Sequence, residues 1–388
     1  MMPLSRHIIK LQRWGDRPLM ITAGILVIIS FAAAFSTSSN LVNTYRLHDP
    51  YYYLLKHFLL LILALTIFLM ATWIPVRFYQ KAIPYILGGT MLLLAYTDLF
   101  GHAAGSDTAK RWIRIGMLSI QPSIIALTVS LLFTAVFLSR NEHAQTTFGQ
   151  DLRKYWIWLF LVTGLVVIYN NSTALLLFGL NLILLFLGGY PFKKFLAAAG
   201  MSLLLLLIYF LAAKAFPQYI PNRIDTAVHR IQRFLDKDKN DSDLDIQPLR
   251  AKIAIASGGM FRFAPGKSVQ KNLLSQSSSD FIYAILIEEY GLIFGGLVVL
   301  VLYLILAFRI LGISRLTDDY YYKLIIMAAG LPIIFQALIN MSVAAGLFPV
   351  TGQPLPILSA GGTTLFMTAF ALGVIIRASM EIKNAGDE

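Results

Sequence analysis

Asp280 closes a polar stretch and opens an apolar one, in the run Ser277-Ser278-Ser279-Asp280-Phe281-Ile282-Tyr283-Ala284-Ile285-Leu286-Ile287-Glu288-Glu289-Tyr290-Gly291. A carboxylate at such a border has two uses. Ser277 and Asp280 have the spacing of a capping box, in which the acid completes a helix N-terminus and complements its dipole. The same position favours the charged form of the acid, and so a proton acceptor or a cation ligand over a neutral acid. Further along the expected helix, Glu288 lies roughly 12 Å from Asp280 along the axis and, as a buried acid, is expected to pair with an Arg. Ala284, Gly291 and Gly295 fall on the Asp280 side of a continuous helix, a small-residue face that admits another helix or a lipid chain.

A second candidate is Met260-Phe261-Arg262-Phe263-Ala264-Pro265-Gly266-Lys267-Ser268-Val269-Gln270, which ends like a nucleotide-binding loop. That motif needs a glycine where Phe261 stands, and no strand precedes it, so the nucleotide reading is rejected. Its backbone amides and Lys267 remain able to meet a phosphate. The chain has no Cys, which excludes thiol catalysis, disulfides and thiolate metal sites, and its 6 His are scattered without a metalloprotease pattern. No Gly-x-Ser-x-Gly nucleophile motif occurs.

The elements that must carry these residues are membrane helices. Of 388 residues 57% are hydrophobic and 13% charged, and the mean hydropathy is +0.69, outside the range of a soluble domain. Helices that cross a hydrocarbon core need apolar runs of roughly 17 to 25 residues. Ten candidates cover 19–35, 54–73, 82–96, 123–138, 156–168, 173–187, 195–216, 282–308, 324–345 and 364–376. The fold class expected is an all-α polytopic membrane protein of about ten transmembrane helices, a single membrane domain over 1–388 with one large extracytoplasmic loop, 217–280. The first run, with Ala32-Ala33-Ala34, faintly imitates a signal peptide but is longer than its apolar core, so a retained first helix is expected.

Charge supports that count. Arg6, Lys10, Arg13 and Arg17 precede the first span, and Arg77 with Lys81, Arg140 with Arg153 and Lys154, Lys193 with Lys194, and Arg309 with Arg315 occupy alternate loops. Basic residues in short loops collect on the cytoplasmic side, which places both termini in the cytoplasm. The net charge of +12 is thereby explained by orientation, and nucleic acid is excluded as a partner.

Two outer loops hold the remaining polar chemistry. The first, 97–120, has Arg111-Trp112-Ile113-Arg114 alternating as an interfacial segment does. The second contains an amphipathic stretch over 224–235 with His229 and Arg230, an acidic segment over 236–245 and a further helix over 249–255. Asn170, Asn171, Gln336 and Asn340 lie inside apolar spans, where amides bond between helices or line a wet cavity.

Taken in order, these motifs resemble the SEDS family of shape, elongation, division and sporulation proteins, the FtsW and RodA polymerases. The resemblance runs through Arg111-Trp112-Ile113, Gln121-Pro122-Ser123, Ser172-Thr173-Ala174, Arg230, Gln247, Gly258-Gly259 and Gly266-Lys267-Ser268-Val269-Gln270. It continues through Asp280-Phe281-Ile282-Tyr283-Ala284, Glu288-Glu289-Tyr290-Gly291, Gln336, Asn340, Pro349-Val350-Thr351-Gly352, Leu355-Pro356 and Ser359-Ala360-Gly361-Gly362-Thr363. The Ser268-Val269-Gln270-Lys271 spacing is closer to FtsW.

The resemblance implies a peptidoglycan glycosyltransferase in a bacterial cytoplasmic membrane, polymerising lipid II on the outer face with inversion and loss of undecaprenyl pyrophosphate. It implies a class B penicillin-binding protein and other division proteins as partners. Asp280 matches the family's essential loop aspartate, as general base or as holder of a divalent cation, Mg or Mn. Arg111, Arg114, Arg230 and Lys267 are implied pyrophosphate partners, and Gln247, Ser268 and Gln270 complete the implied substrate site.

Departures from the family pattern also stand out. The family usually carries Glu and Lys, three residues apart, where this chain has Ile124 and Leu127, and usual glycines are replaced by Arg262 and Ala264. The lost Glu and Lys keep a catalytically weak scaffold open as an alternative, and the amides and acids within spans, with helix-breaking prolines, keep open a transporter of the lipid-linked precursor.

Overall fold

A computed structural model describes residues 15–45, 50–102, 111–116, 118–141, 146–168, 170–215, 246–274 and 278–386. Helices α1 (Arg17–Tyr45), α2 (Pro50–Trp73) and α3 (Val76–Phe100) come first. A two-stranded hairpin follows, β1 (Ile113–Ile115) antiparallel to β2 (Leu118–Ile120), with Arg114 opposite Ser119. The alternation in the first outer loop therefore belongs to a strand pair.

Next come α4 (Pro122–Arg140), α5 (Phe148–Asp151), a π turn over Leu152–Trp156, α6 (Ile157–Val167), α7 (Asn171–Leu187) and α8 (Phe192–Ala215). The large loop contributes α9 (Ile246–Gly258) and a short 3₁₀ turn at Gln270–Asn272. The chain ends with α10 (Ile282–Gly291), a π turn over Leu292–Leu297, α11 (Val298–Ser314), α12 (Tyr320–Ala344) and α13 (Gly362–Gly386).

Among the described residues, 8 helical segments are long and apolar enough to cross a membrane. The pair expected at 156–168 and 173–187 is present as the shorter α6 and α7, separated at Asn170, which caps α7 by accepting from the Thr173 amide at 3.2 Å. Nine of the ten expected spans thus each correspond to one helical segment, and the one at 282–308 is divided. The amphipathic and acidic stretches at 224–245, with His229 and Arg230, lie outside the described residues.

Burial sorts the helices into centre and rim. Of the most apolar stretch of each, 83% is buried in α4 and 72% in α12, against 12% in α8 and 22% in α2, so α4 and α12 form the core and α8 the lipid-facing edge. α4 packs on α3, α7 and α12, and α13 packs on α2. A polar knot crosses this core: Thr134 donates to Asn181 at 2.5 Å, Asn181 donates to Ser130 at 3.0 Å, and Tyr155 meets Thr134 at 2.7 Å. Each group is satisfied, as polar groups at membrane depth require.

The two ends of the bundle are built differently. One end is clasped by ion pairs: Arg309 with Asp16, Arg77 with Asp319 at 2.7 Å, Lys194 with Asp151 at 2.8 Å and Arg377 with Glu381 at 2.6 Å. Lys383 also reaches the Gly15 carbonyl at 3.2 Å, bringing the two ends of the described chain together. The other end carries the hairpin, α9 and the segment before α13.

The expected single span at 282–308 is broken. Gly291 takes φ +78°, and a Cβ there would lie 2.7 Å from the Arg262 amide nitrogen and 2.8 Å from the Met260 carbonyl. Only glycine fits that turn. Beyond it the chain folds back on α10, so that Gly295 abuts the Leu286 carbonyl and Tyr283 donates to the Gly296 carbonyl at 3.2 Å. Gly291 and Gly295 therefore serve a bend within the chain, and not one straight small-residue face. The result is a short α10 whose residues 282–289 are all buried.

Candidate active site

Asp280 sits at the entrance to α10, in a turn formed by residues 278–281. The N-cap position is taken by Phe281, which has no side chain able to cap, so Asp280 precedes the helix and is not its cap residue. What holds it is its backbone. Three consecutive carbonyls are each bonded to the segment before α13 or to α12: Ser278 accepts from the Ala360 amide at 3.0 Å, Ser279 from the Ser359 hydroxyl at 2.8 Å, and Asp280 from the Asn340 side-chain amide at 2.9 Å.

The holding groups are themselves fixed. Asn340 also donates to the Gln353 carbonyl at 2.8 Å, and Gln353 donates from its side chain to Thr173 at 3.0 Å. Ser359 accepts from the Leu355 amide at 2.7 Å. Between them, Ile357 is the sole non-glycine residue with positive φ among the described residues, at 69°, and it is buried. A branched residue in that region is strained by about 1–3 kcal/mol and persists only where its surroundings enforce it. Tyr303 donates to the neighbouring Pro356 carbonyl.

The carboxylate end faces a second turn. Gly352 has φ +68°, and Asp280 Oδ2 lies 3.6 Å from where its Cβ would be. A side chain at 352 would crowd the carboxylate as well as strain the backbone. Gln336 and Asn340 were expected to bond between helices or to line a wet cavity. Gln336 instead faces Gln353 at 3.5 Å, and Asn340 serves the two loops.

Below Asp280, α10 presents two buried acids to the Gly266–Gln270 loop. Glu289 accepts from the Gly266 amide at 3.0 Å, the Ser268 amide at 3.2 Å and Ser36 of α1 at 2.5 Å. Glu288 accepts from the Ser268 hydroxyl and from the amides of Val269 at 3.0 Å and Gln270 at 3.4 Å. The loop amides that resembled a phosphate cradle are thus filled by the protein's own carboxylates. The Arg partner expected for Glu288 is replaced by this set of neutral donors, because α10 turns its acids inward toward the loop.

Lys271 completes the brace. Its ammonium donates to the carbonyls of Ser36 at 3.1 Å and Gly266 at 2.6 Å. Burial holds it below the ordinary lysine range, although Glu289 and Glu288 pull the other way.

The remaining expected site residues are distributed around this framework. Lys267 is exposed at the loop tip, Gln270 is half-buried, and Ser268 is buried against Glu288. Gln247 is half-buried in the first turn of α9. Arg114 stands on the hairpin and Arg111 two residues before it; the hairpin hangs from the start of α13, where the Gln121 amide donates to Thr363 at 2.9 Å and Thr363 donates to the Ser119 carbonyl at 3.2 Å. Arg230 lies outside the described residues. Neither Arg262 nor Ala264 has a left-handed φ, so neither position requires glycine here. Gln353 and Ser36 were not among the expected site residues, although Ser36-Thr37-Ser38-Ser39 is a visible polar cluster just beyond the first expected span.

Among the described residues no three His, Asp or Glu side chains gather to cage a metal ion. A divalent cation of the kind expected at Asp280 takes oxygen ligands. Magnesium takes one or two carboxylates and completes its shell with water and phosphate. Asn340 Oδ1 and Thr351 Oγ1 are buried oxygens without a hydrogen-bond partner.

Comparison with known proteins gives a consistent result. The FtsW/RodA/SpoVE model, described as a cell cycle protein family, matches residues 17–384. A probable peptidoglycan glycosyltransferase FtsW of Coxiella burnetii is 28% identical over 375 residues, covering 94% of each chain. The protein of the same description in Tolumonas auensis is 30% identical over 340 residues, covering 86% of this chain and 84% of that one. A chain of a solved peptidoglycan synthase complex superposes with TM-score 0.71 at 22% identity, over 94% of this chain and 97% of the other. The rod shape determining protein RodA of Thermus thermophilus does so with TM-score 0.66 at 22% identity, over 95% and 97%.

Proposed function

The chain belongs to the FtsW/RodA/SpoVE cell cycle protein family, and we infer from that membership that it is a peptidoglycan glycosyltransferase of the FtsW kind, polymerising lipid II during cell division and cell-wall synthesis. The observation that carries the reading is the anchoring of Asp280 through three consecutive backbone carbonyls at the loop-bearing end of a multi-pass bundle. A lipid-linked sugar needs a reactive group at that border, with its tail in hydrocarbon and its sugars in water.

In the reaction, an acceptor sugar hydroxyl attacks the donor anomeric carbon, undecaprenyl pyrophosphate leaves and the configuration inverts. Asp280 takes the hydroxyl proton, and its fixed backbone limits the positions from which it can do so. Arg111, Arg114, Arg230 and Lys267 offset the charge that grows on the departing pyrophosphate. A Mg or Mn ion, when bound by Asp280 and pyrophosphate oxygens, would supply further charge neutralisation. Glu288, Glu289 and Ser268 hold the loop that presents Lys267.

The basic end faces the cytoplasm of a bacterial cell under the charge rule, which puts Asp280 on the outer face of the cytoplasmic membrane. A class B penicillin-binding protein is the partner this reading expects, and the likeness to a chain of a peptidoglycan synthase complex supports it. Family membership disfavours the transporter and scaffold alternatives.

The test is polymerisation of labelled lipid II by purified protein, with and without the class B penicillin-binding protein, comparing wild type with Asp280→Ala. Glycan product from wild type and none from the variant is expected. Equal product from both would remove Asp280 from the chemistry. No product from either, with partner binding intact, would make the chain a scaffold, and precursor flipping without glycan would make it a transporter.

A further inference from the structure

A cavity of about 500 Å³ opens at the basic end, remote from Asp280, between α3, α4 and α6. Its walls are Pro84, Leu87, Phe133 and Trp158, and its polar rim includes Arg140 and Lys154. Phe133 lies seven residues before Arg140 on α4, roughly 10 Å deeper along the helix. The lining therefore changes from cationic to apolar along the membrane normal. Gly88 forms part of the wall, and a Cβ built on it meets nothing within 4 Å.

The two cations are available to a ligand. Arg140 spends one N–H on the Gln80 carbonyl at 2.7 Å, and neither Arg140 nor Lys154 has a carboxylate partner among the described residues. Asp151, three residues before Lys154, is buried and already accepts from Lys194 at 2.8 Å and Tyr190 at 2.9 Å; Glu142, two residues after Arg140, lies outside the described residues. Lys154 also belongs to the π turn Leu152–Trp156, which shifts the helix register beside the cavity. Such turns are frequent at functional sites.

We propose that this cavity binds an anionic diacyl phospholipid, its phosphate on Arg140 and Lys154 and an acyl chain along Leu87, Phe133 and Trp158. With the orientation assigned above, the lipid comes from the cytoplasmic leaflet. The volume falls within the roughly 300–1,000 Å³ of small-ligand sites, whereas a partner helix about 10 Å across would not enter. The apolar depth separates a lipid from free phosphate, which would use only the rim. Paired cations between transmembrane helices on the cytoplasmic side recognise acidic headgroups by the same chemistry.

The test is quenching of Trp158 fluorescence in phosphatidylcholine nanodiscs doped with phosphatidylglycerol brominated on its acyl chains, taking the signal as wild type minus Trp158→Phe. Quenching by brominated phosphatidylglycerol should exceed that by brominated phosphatidylcholine at equal content. Arg140→Gln with Lys154→Gln should lower this preference about thirtyfold, the factor that roughly 1 kcal/mol per basic side chain gives for two. Gly88→Phe should abolish quenching with both charges intact, by filling the apolar wall. Lys81→Gln with Arg153→Gln removes the same charge from exposed positions outside the lining and should leave the preference unchanged.

Equal quenching by the two lipids, or equal loss in the two charge-neutralised pairs, would reduce the effect to general surface charge and overturn the proposal. Competition by inorganic phosphate alone, with Gly88→Phe quenched as wild type, would overturn the lipid in favour of a rim anion site. The assay reads the site whichever side of the membrane it faces and needs no polymerase activity, so its failure leaves the functional reading untouched.

Discussion

The side-chain amide of Asn340 donates to the backbone carbonyl of Asp280 at 2.9 Å, across 60 residues of sequence. The same amide holds the Gln353 carbonyl at 2.8 Å, so one side chain on a central helix sets the spacing of the two turns that flank the carboxylate.

Replacing Asn340 with Leu would leave two carbonyls without their donor, at about 1–3 kcal/mol for each buried group. Polymerisation by Asn340→Leu should therefore fall about ten- to a hundredfold, with kcat affected more than KM, because Asn340 holds the backbone of Asp280, the base proposed above. Steady-state kinetics on labelled lipid II check this. An unchanged kcat would show that the turn keeps its place without the bond.

The brace beneath the site should behave as one unit. Glu288→Ala strips the acceptor from Ser268, Val269 and Gln270 at once, and should cost about 3 kcal/mol or more in stability. Ser268→Ala should cost about 1–3 kcal/mol. Since the two share a bond, the double variant should be less damaged than the sum of the singles, by about 0.5–3 kcal/mol. Denaturant titration of the detergent-solubilised protein measures that coupling, and strict additivity would show that the two residues act separately.

Periodicity and loop charge made the helices and their alternation legible, because hydrocarbon imposes a length and a composition on each span. The break at Gly291 was not legible. The run from Ile282 onward reads as one apolar helix, and only the Arg262 and Met260 backbone pressed against Gly291 demands the turn. Asp280 was legible as a border residue, and its resemblance to a family motif gave it a role. The cap reading failed because Ser278, Ser279 and Asp280 commit their carbonyls to distant partners, which no local spacing encodes. Glu288 and Glu289 were recognisable as costly acids, but their donors are loop amides, and amides leave no trace in residue type.

At the opposite end, Asp16 makes stability depend on pH. Burial raises its carboxyl pKa, but hydrogen bonds from Arg309 and the Leu19 amide, with the charges of Arg309 and Lys383, outweigh this and hold it below the ordinary value of 3.8. A depressed carboxylate contributes stability that is fully present above its unfolded pKa and is lost as pH falls through the folded one. The thermal-stability gap between wild type and Asp16→Asn should therefore be constant near neutrality and shrink on acidification below about pH 4. Melting curves of both proteins across that range test it, and a gap that persists in acid would assign the contribution of Asp16 to something other than its charge.

Ile124 and Leu127 stand where the family usually places a Glu and a Lys, and both are buried in α4, 5% and 0% exposed. Restoring one charge alone would strand it in the apolar core, at about 3–5 kcal/mol for an uncompensated buried ion. Leu127→Lys should therefore destabilise strongly. The pair Ile124→Glu with Leu127→Lys places the two charges three apart on one helix face, where they can meet. The double variant should recover part of the loss, and it should polymerise lipid II at least as fast as wild type if the missing pair limits the present site. Stability of the three variants and the polymerisation rate of the double decide this. A double variant less stable than Leu127→Lys would mean that the core around α4 has closed over the space such a pair would need.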